Sequence, residues 1–212
     1  MDKVKTKIIK IDLRKPLNNI VRKVAREMKR GKIAVYPTET CYGLGTNALN
    51  EKSVEKIYKI KKEPTRSNIL VIVHNLESVK KFGIIDKKAK TLIKTFMPGP
   101  LTMVVKKKKQ FPNITNKDFV FRISGSKLAL KLAKEANSPL TATSANIHGK
   151  PSIYSGKEII RLFEGKVDII LDGGKLKKIK PSTIVDMKNK KPKLIRKGPI
   201  PFKKILDTLN AT

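Results

Sequence analysis

The sequence predicts an α/β (α+β) domain: a twisted sheet of mixed parallel and antiparallel strands flanked by helices. Three observations predict it. Apolar residues recur at helical spacing in several windows, short apolar runs bounded by Pro or Gly lie between them, and some of those runs follow one another with no helix intervening. Strict alternation of strand and helix would have pointed to a purely parallel sheet instead.

Residues 7–13 alternate apolar and polar through Ile9, Ile11 and Leu13, as a half-buried strand does. Leu17, Ile20, Val21, Val24, Ala25 and Met28 then form a helical stripe that ends at Gly31. Residues 33–36 read as a buried strand halted by Pro37, and residues 38–47 as a turn-rich loop. Asn50 is placed to cap a helix carrying Val54, Ile57, Tyr58 and Ile60. A polar segment at 61–68 leads to a buried strand at 69–73, and helical patterns fill 76–82 and 86–96. Met97, Pro98, Gly99 and Pro100 stop the second of these; residues 101–105 and 119–123 read as strands. A helix over 126–136 carries Leu128, Leu132 and Ala136, and residues 139–143 form a short strand. Beyond it come a helix at 157–164, a strand at 167–171 and a turn at Asp172, Gly173 and Gly174. Residues 183–185 and 194–195 pair around a Lys-rich turn, and Pro199 and Pro201 precede a last helix holding Ile205, Leu206 and Leu209. No internal repeat or boundary divides the chain, so residues 1–212 are expected to form a single domain.

Composition narrows the function classes. No stretch approaches the ~20 consecutive apolar residues of a membrane helix, and no apolar run follows the N-terminus, so a cytoplasmic protein with no membrane contact is expected. The single cysteine, Cys41, excludes an intramolecular disulfide and a cysteine-built metal site. The chain has 49 basic and 17 acidic residues, a net charge of +32; eight of the basic residues are Arg and the other 41 Lys. Such a field attracts polyanions, double-stranded RNA and transfer RNA among them. Lys enrichment is also a mark of proteins from hot habitats, and the lysines here are spread along the chain.

Familiar nucleotide signatures are missing. No P-loop pattern occurs. Gly43-Leu44-Gly45-Thr46-Asn47-Ala48 fits a loose dinucleotide fingerprint, but Thr38 to Tyr42 separate it from the preceding strand and the helix begins only near residue 50. His74 and His148 make no metal-ligand set with the scattered carboxylates, and no Ser-His-Asp arrangement is evident. The chemistry expected is therefore of the kind driven by positioning and by stabilisation of phosphate charge.

Three loops at strand ends are rich in hydroxyl and amide side chains: 37–45, 141–152 and 180–183. Such groups can bind an amino acid's carboxylate and ammonium or a nucleotide's oxygens. Taken singly, each loop is equally explained by Ser and Thr closing turns.

Taken together, the loops carry a resemblance. Residues 36–45 (YPTETCYGLG), 96–102 (FMPGPLT), Ser144-Ala145-Asn146 with Gly149, Pro151 and Ser152, Asp172-Gly173-Gly174, Ser182-Thr183 and residues 194–198 (LIRKG) occur in the order typical of the YrdC-like family. The resemblance spans about residues 15 to 200 and fits the short form that lacks an extra C-terminal domain. It implies a twisted α/β sheet with a basic concave face. It implies a nucleotidyltransferase that joins L-threonine, bicarbonate or CO2, and ATP into threonylcarbamoyl-adenylate and pyrophosphate. A separate transferase complex would then modify transfer RNA next to the anticodon. It implies threonine contacts at Thr40, Arg122, Ser144 and Ser182, and ATP contacts at Lys61, Arg66, Ser67, Asn146 and Arg196. Lys61, Ser144 and Asn146 would be the catalytic set. Mg²⁺ would ride on the phosphates, with no protein metal site. The chain departs from the family in carrying Glu63 where an Arg is usual, a carboxylate expected to repel phosphates, and Tyr154 where a Thr is common. A non-synthase paralogue and a noncatalytic RNA-binding protein are the competing readings.

Overall fold

The computed structural model describes residues 4–63, 69–112 and 118–211. In chain order the elements are β1 (Lys7–Lys10), α1 (Asn18–Lys29), β2 (Ala34–Pro37), β3 (Tyr42–Gly45), α2 (Glu51–Lys61), β4 (Val71–Ile72), α3 (Leu76–Phe82), α4 (Lys87–Phe96) and β5 (Leu101–Lys106). They continue with β6 (Asp118–Arg122), α5 (Lys127–Ala136), β7 (Leu140–Thr141), β8 (Thr143–Ser144), α6 (Gly156–Phe163), β9 (Ile169–Asp172), β10 (Thr183–Asp186), β11 (Lys193–Arg196) and α7 (Phe202–Asn210).

The strands divide into two mixed sheets, ordered β1-β9-β2-β3-β8 and β11-β10-β5-β6-β4-β7. In the first, β9 runs parallel to β1 and β2, while β3 is antiparallel to both β2 and β8. In the second, β10 lies parallel to β5 and antiparallel to β11, and β6 is antiparallel to β5 but parallel to β4.

Local chemistry sets the helix boundaries. Asn50, Asn75, Asp86 and Ser126 each accept a hydrogen bond from the backbone N–H three residues on, which satisfies a donor that the first helical turn leaves open. The apolar stripe of α1 (Val21, Val24, Ala25, Met28) packs on that of α5 (Leu128, Leu132, Ala136), against Tyr36 of β2 and Leu171 of β9.

Strand parity separates core from site. Alternate residues of a strand face opposite sides of its sheet. Leu101, Met103 and Val105 of β5 enter the larger core beside Leu92, Ile205 and Phe163, as do Phe119 and Phe121 of β6. Thr102, Val104, Val120 and Arg122 therefore face the other way, into an open cavity.

Two elements differ from the sequence reading. The segment 38–47 is not one loop, because Tyr42–Gly45 forms β3, the centre of a hairpin with β2. Its two glycines weaken the strand signal. Gly45 is required there, since a Cβ would stand 2.3 Å from the Thr141 carbonyl oxygen. Residues 139–143 do not form one strand either: β7 and β8 belong to different sheets, with Ala142 between them.

Candidate active site

A cavity of about 310 Å³ opens between the two sheets. One wall comes from the first sheet: Thr38, Thr40 and Cys41 from the β2–β3 hairpin, Gly43 from β3, and Thr143 and Ser144 from β8. The opposite wall comes from the second sheet: Thr102, Arg122, Ser182, Ile184, Ile195 and Arg196. Ser152, Tyr154, Ile179 and Pro181 complete the rim.

The second wall is a fixed polar lattice. Arg196 donates from Nε to the Ser182 carbonyl oxygen and from Nη2 to Ser182 Oγ, each at 3.0 Å. The Ser182 and Thr102 hydroxyls lie 2.8 Å apart, both residues being buried. Burial first, and the charge of nearby Arg122 second, hold the Arg196 guanidinium below the ordinary arginine range. Arg122 is 3% exposed, and its Nη1 lies 3.2 Å from Glu39 Oε1. Two guanidiniums thus face one cavity, with one carboxylate, Glu39, set against Arg122. That arrangement favours an anion.

The first wall is held by its own hydroxyls. Thr38 Oγ1 donates to the Cys41 carbonyl oxygen at 2.7 Å, accepts from Thr40 N–H at 3.2 Å and stands 3.2 Å from Thr40 Oγ1. Burial pushes the Cys41 thiol up, so it stays protonated and is not the thiolate that a nucleophile requires.

Behind Ser144 lies a buried ammonium. Lys61, at the end of α2, donates from Nζ to the Ser144 carbonyl oxygen at 2.7 Å and to the Asn146 carbonyl oxygen at 3.0 Å. Glu63 Oε2 lies 3.7 Å away. Burial lowers the Lys61 pKa, and Glu63 opposes the shift. The Glu63 carboxylate is therefore turned toward Lys61, with His148 Nδ1 3.9 Å from its other oxygen. The expected repulsion between Glu63 and a phosphate has a compensating cation at hand.

Of the residues singled out by sequence, Thr40, Arg122, Ser144, Ser182 and Arg196 line this one cavity. Lys61 and Asn146 do not line it; they sit directly behind its Ser144 wall. Arg66 and Ser67 lie outside the described residues. Sequence reasoning passed over Glu39 and Thr102. Both stand inside the family motifs, Thr102 in 96–102 and Glu39 in 36–45, but neither was given a role; the parity of Thr102 with Val104 in β5 was a further signal for the first. The Gly43–Ala48 pattern lies in and just after a strand, with the helix starting at Glu51, so the fingerprint geometry is not met. Among the described residues no group of three His, Cys, Asp or Glu side chains is arranged to hold a metal, and none of the helices is long and apolar enough to cross a membrane.

The family model Sua5/YciO/YrdC, described as telomere recombination, matches residues 26–198. The chain belongs to this family. A Methanocaldococcus jannaschii relative, which carries the name threonylcarbamoyl-AMP synthase provisionally, is 39% identical over 208 residues, covering 95% of this chain and 98% of that one. The threonylcarbamoyl-AMP synthase of Pyrococcus abyssi is 35% identical over 189 residues, 87% of this chain but 56% of the relative. The solved structure of P. abyssi Sua5 complexed with L-threonine superposes with a TM-score of 0.89 at 33% identity, covering 95% of this chain and 60% of that one. This chain thus spans little more than half the length of that Sua5 and nearly all of the M. jannaschii member. The crystal structure of Escherichia coli YciO, another branch of the family, gives a TM-score of 0.84 at 25% identity, covering 95% and 99% of the two chains.

Proposed function

We propose that the protein is a threonylcarbamoyl-AMP synthase, a nucleotidyltransferase that makes the activated intermediate for threonylcarbamoyladenosine in transfer RNA. The observation that carries this is the convergence of Thr40, Arg122, Ser144, Ser182 and Arg196, from both sheets, on one cavity. The family's members named for this activity, among them one solved with L-threonine, support it.

The geometry suits the chemistry. Arg122 and the Ser182–Arg196 lattice offer charged and neutral donors to the carboxylate of L-threonine. Thr40 and Ser144, on the facing wall, are left to orient its ammonium and hydroxyl ends. The ammonium first gives a proton to solvent; the free amine then attacks CO2, losing a second proton to solvent, or bicarbonate, losing water, and becomes a carbamate. A carbamate oxygen then attacks the α-phosphorus of ATP, the bond from that phosphorus to the bridging oxygen breaks, and pyrophosphate leaves with the electron pair. Both reactants are anions, so cations near the reacting atoms lower the barrier. Arg196 is one such group on the cavity wall. Asn146, with Arg66 and Ser67, completes the ATP side; Lys61 acts there by fixing the 144–146 backbone against which ATP lies.

Of the two acidic side chains closest to the site, Glu39 is engaged with Arg122 and Glu63 with Lys61. A protein-held Mg²⁺ does not fit that donor set, and we assign any Mg²⁺ to the phosphates of ATP. The product goes to a transferase complex in the cytoplasm. Pyrophosphate release that requires L-threonine and bicarbonate together, with the adenylate identified by mass and L-serine as control, is the expected result. Equal ATP turnover without threonine rejects the synthase reading and favours a paralogue with another substrate. Salt-sensitive RNA binding with no adenylate formed favours the noncatalytic reading.

A further inference from the structure

Arg122 is a buried charge with an unfilled valence. Its guanidinium carries five N–H donors, yet Nε has no hydrogen-bond partner among the described residues, and the side chain is 3% exposed. Buried charged donors are ordinarily paired. Nε is itself closed off from solvent, so Arg122 lines the cavity with other atoms of its side chain, and what holds the guanidinium in place decides how those atoms are presented.

What holds this side chain is Glu39, which lies outside the cavity lining. Glu39 Oε1 takes Arg122 Nη1 and the Gly125 N–H, both at 3.2 Å, and Oε2 accepts from Ser124 Oγ at 2.7 Å. Three donors from one short stretch, residues 122–125, therefore fix the carboxylate, and the carboxylate fixes one edge of the guanidinium. Its negative charge lies beside Arg122, on the wall that also carries Arg196.

We propose that Glu39 is the positioning residue for amino-acid capture: fixed by Ser124 and Gly125, it holds Arg122 by Nη1 so that the guanidinium keeps one orientation against the cavity that takes the substrate carboxylate. The inference rests on the reading of this cavity as the threonine site, and it concerns a residue that touches no reacting atom. Glu39→Gln removes the charge and turns an amide N–H₂ toward a site built from donors. Glu39→Asp keeps the charge but falls one methylene short of Arg122.

The test uses the whole chain. The ¹⁵N–H signal of Arg122 Nε, assigned by its loss in Arg122→Lys, is recorded without ligand; equilibrium binding of L-threonine and of ATP is then measured. The wild type is expected to show a sharp, slowly exchanging signal. In Glu39→Gln, exchange is expected to quicken tenfold or more, and the Kd for L-threonine to rise at least tenfold while that for ATP moves less than twofold. Glu39→Asp is expected to fall between the two, and it substitutes for Glu39→Gln if that variant does not fold. An Nε–H equally protected in the variants overturns the proposal, as does an equal loss of ATP and threonine affinity, the mark of general loosening. Failure of the wild type to form the adenylate rejects the synthase reading, whereas the ligand-free Nε–H measurement still decides the role of Glu39.

Discussion

Replacing Lys61 by Met keeps the length and most of the volume of the side chain and removes its charge. The ammonium makes two short bonds to carbonyl oxygens, 2.7 Å to Ser144 and 3.0 Å to Asn146, in a place where Lys61 is 3% exposed. A hydrogen bond with one charged partner contributes about 1.5–3 kcal/mol net. Two of them give roughly 3–6 kcal/mol. Against this, Met no longer needs an ammonium to be desolvated, which returns on the order of 1–2 kcal/mol once relaxation is allowed for. The variant also leaves Glu63, 14% exposed, without the cation 3.7 Å away. Lys61→Met is therefore expected to lose about 2–4 kcal/mol, or roughly 5–15 °C in Tm for a domain of this size. Urea unfolding checks it, with a lower midpoint at unchanged slope as the expected outcome. Threonine affinity should fall with stability, because Ser144 is carried on the backbone that Lys61 holds. A variant within about 1 kcal/mol of wild type that has lost only ATP affinity would refute the reasoning and make Lys61 a direct nucleotide ligand instead.

Gly198 stands against the backbone that carries Ser182: an added Cβ would lie 2.3 Å from Thr183 N and 2.5 Å from the Pro181 carbonyl oxygen. Backbone atoms cannot swing aside as a side chain can, so Gly198→Ala is expected to cost about 1–3 kcal/mol and to raise the KM for threonine; denaturation and steady-state kinetics check both effects. Burial raises the phenol pKa values of Tyr36 and Tyr42 above the ordinary value of about 10. The unfolded chain thus loses these protons first as pH rises. Their contribution is fully present below about pH 10 and is lost as pH climbs from there through the folded-state values. Unfolding free energy measured from pH 7 to 11.5 should fall increasingly steeply above about 10, and Tyr42→Phe should make that fall shallower while starting from a lower stability, since it gives up the 2.8 Å bond to the Gly174 carbonyl oxygen.

Periodicity made the long elements legible. The stripe from Val21 to Met28, the Asn50 cap and the alternation at Phe119 and Phe121 all lie where the spacing puts them, because a local pattern there agrees with the burial it produces. The hairpin strand at Tyr42–Gly45 was not legible: its glycines are dictated by close approach of Thr141 and Thr38, which only the folded chain brings near. The division into two sheets was hidden for a similar reason. Thr141 and Thr143 look alike in sequence, yet one pairs with Val71 and the other with Leu44. In the site, the motif resemblance marked the cavity-lining hydroxyls and arginines, since these lie within recognisable loops. Glu39 lay inside the 36–45 motif without a role because its partners, Arg122, Ser124 and Gly125, are more than eighty positions away. Glu63 seemed hostile to a phosphate until its contact with Lys61 was seen.

The single residue between β7 and β8 has a mechanical consequence. Thr141 is bonded into one sheet and Thr143 into the other, and Ala142 N–H is itself tied to the Leu70 carbonyl oxygen at 2.8 Å. A span of one residue cannot stretch, so at this point the halves of the molecule are stapled at a set separation. Ser144, next to this staple, is thereby held at a set distance from the second sheet, while the Ser182–Arg196 wall is carried on strands farther from it in the sheet order.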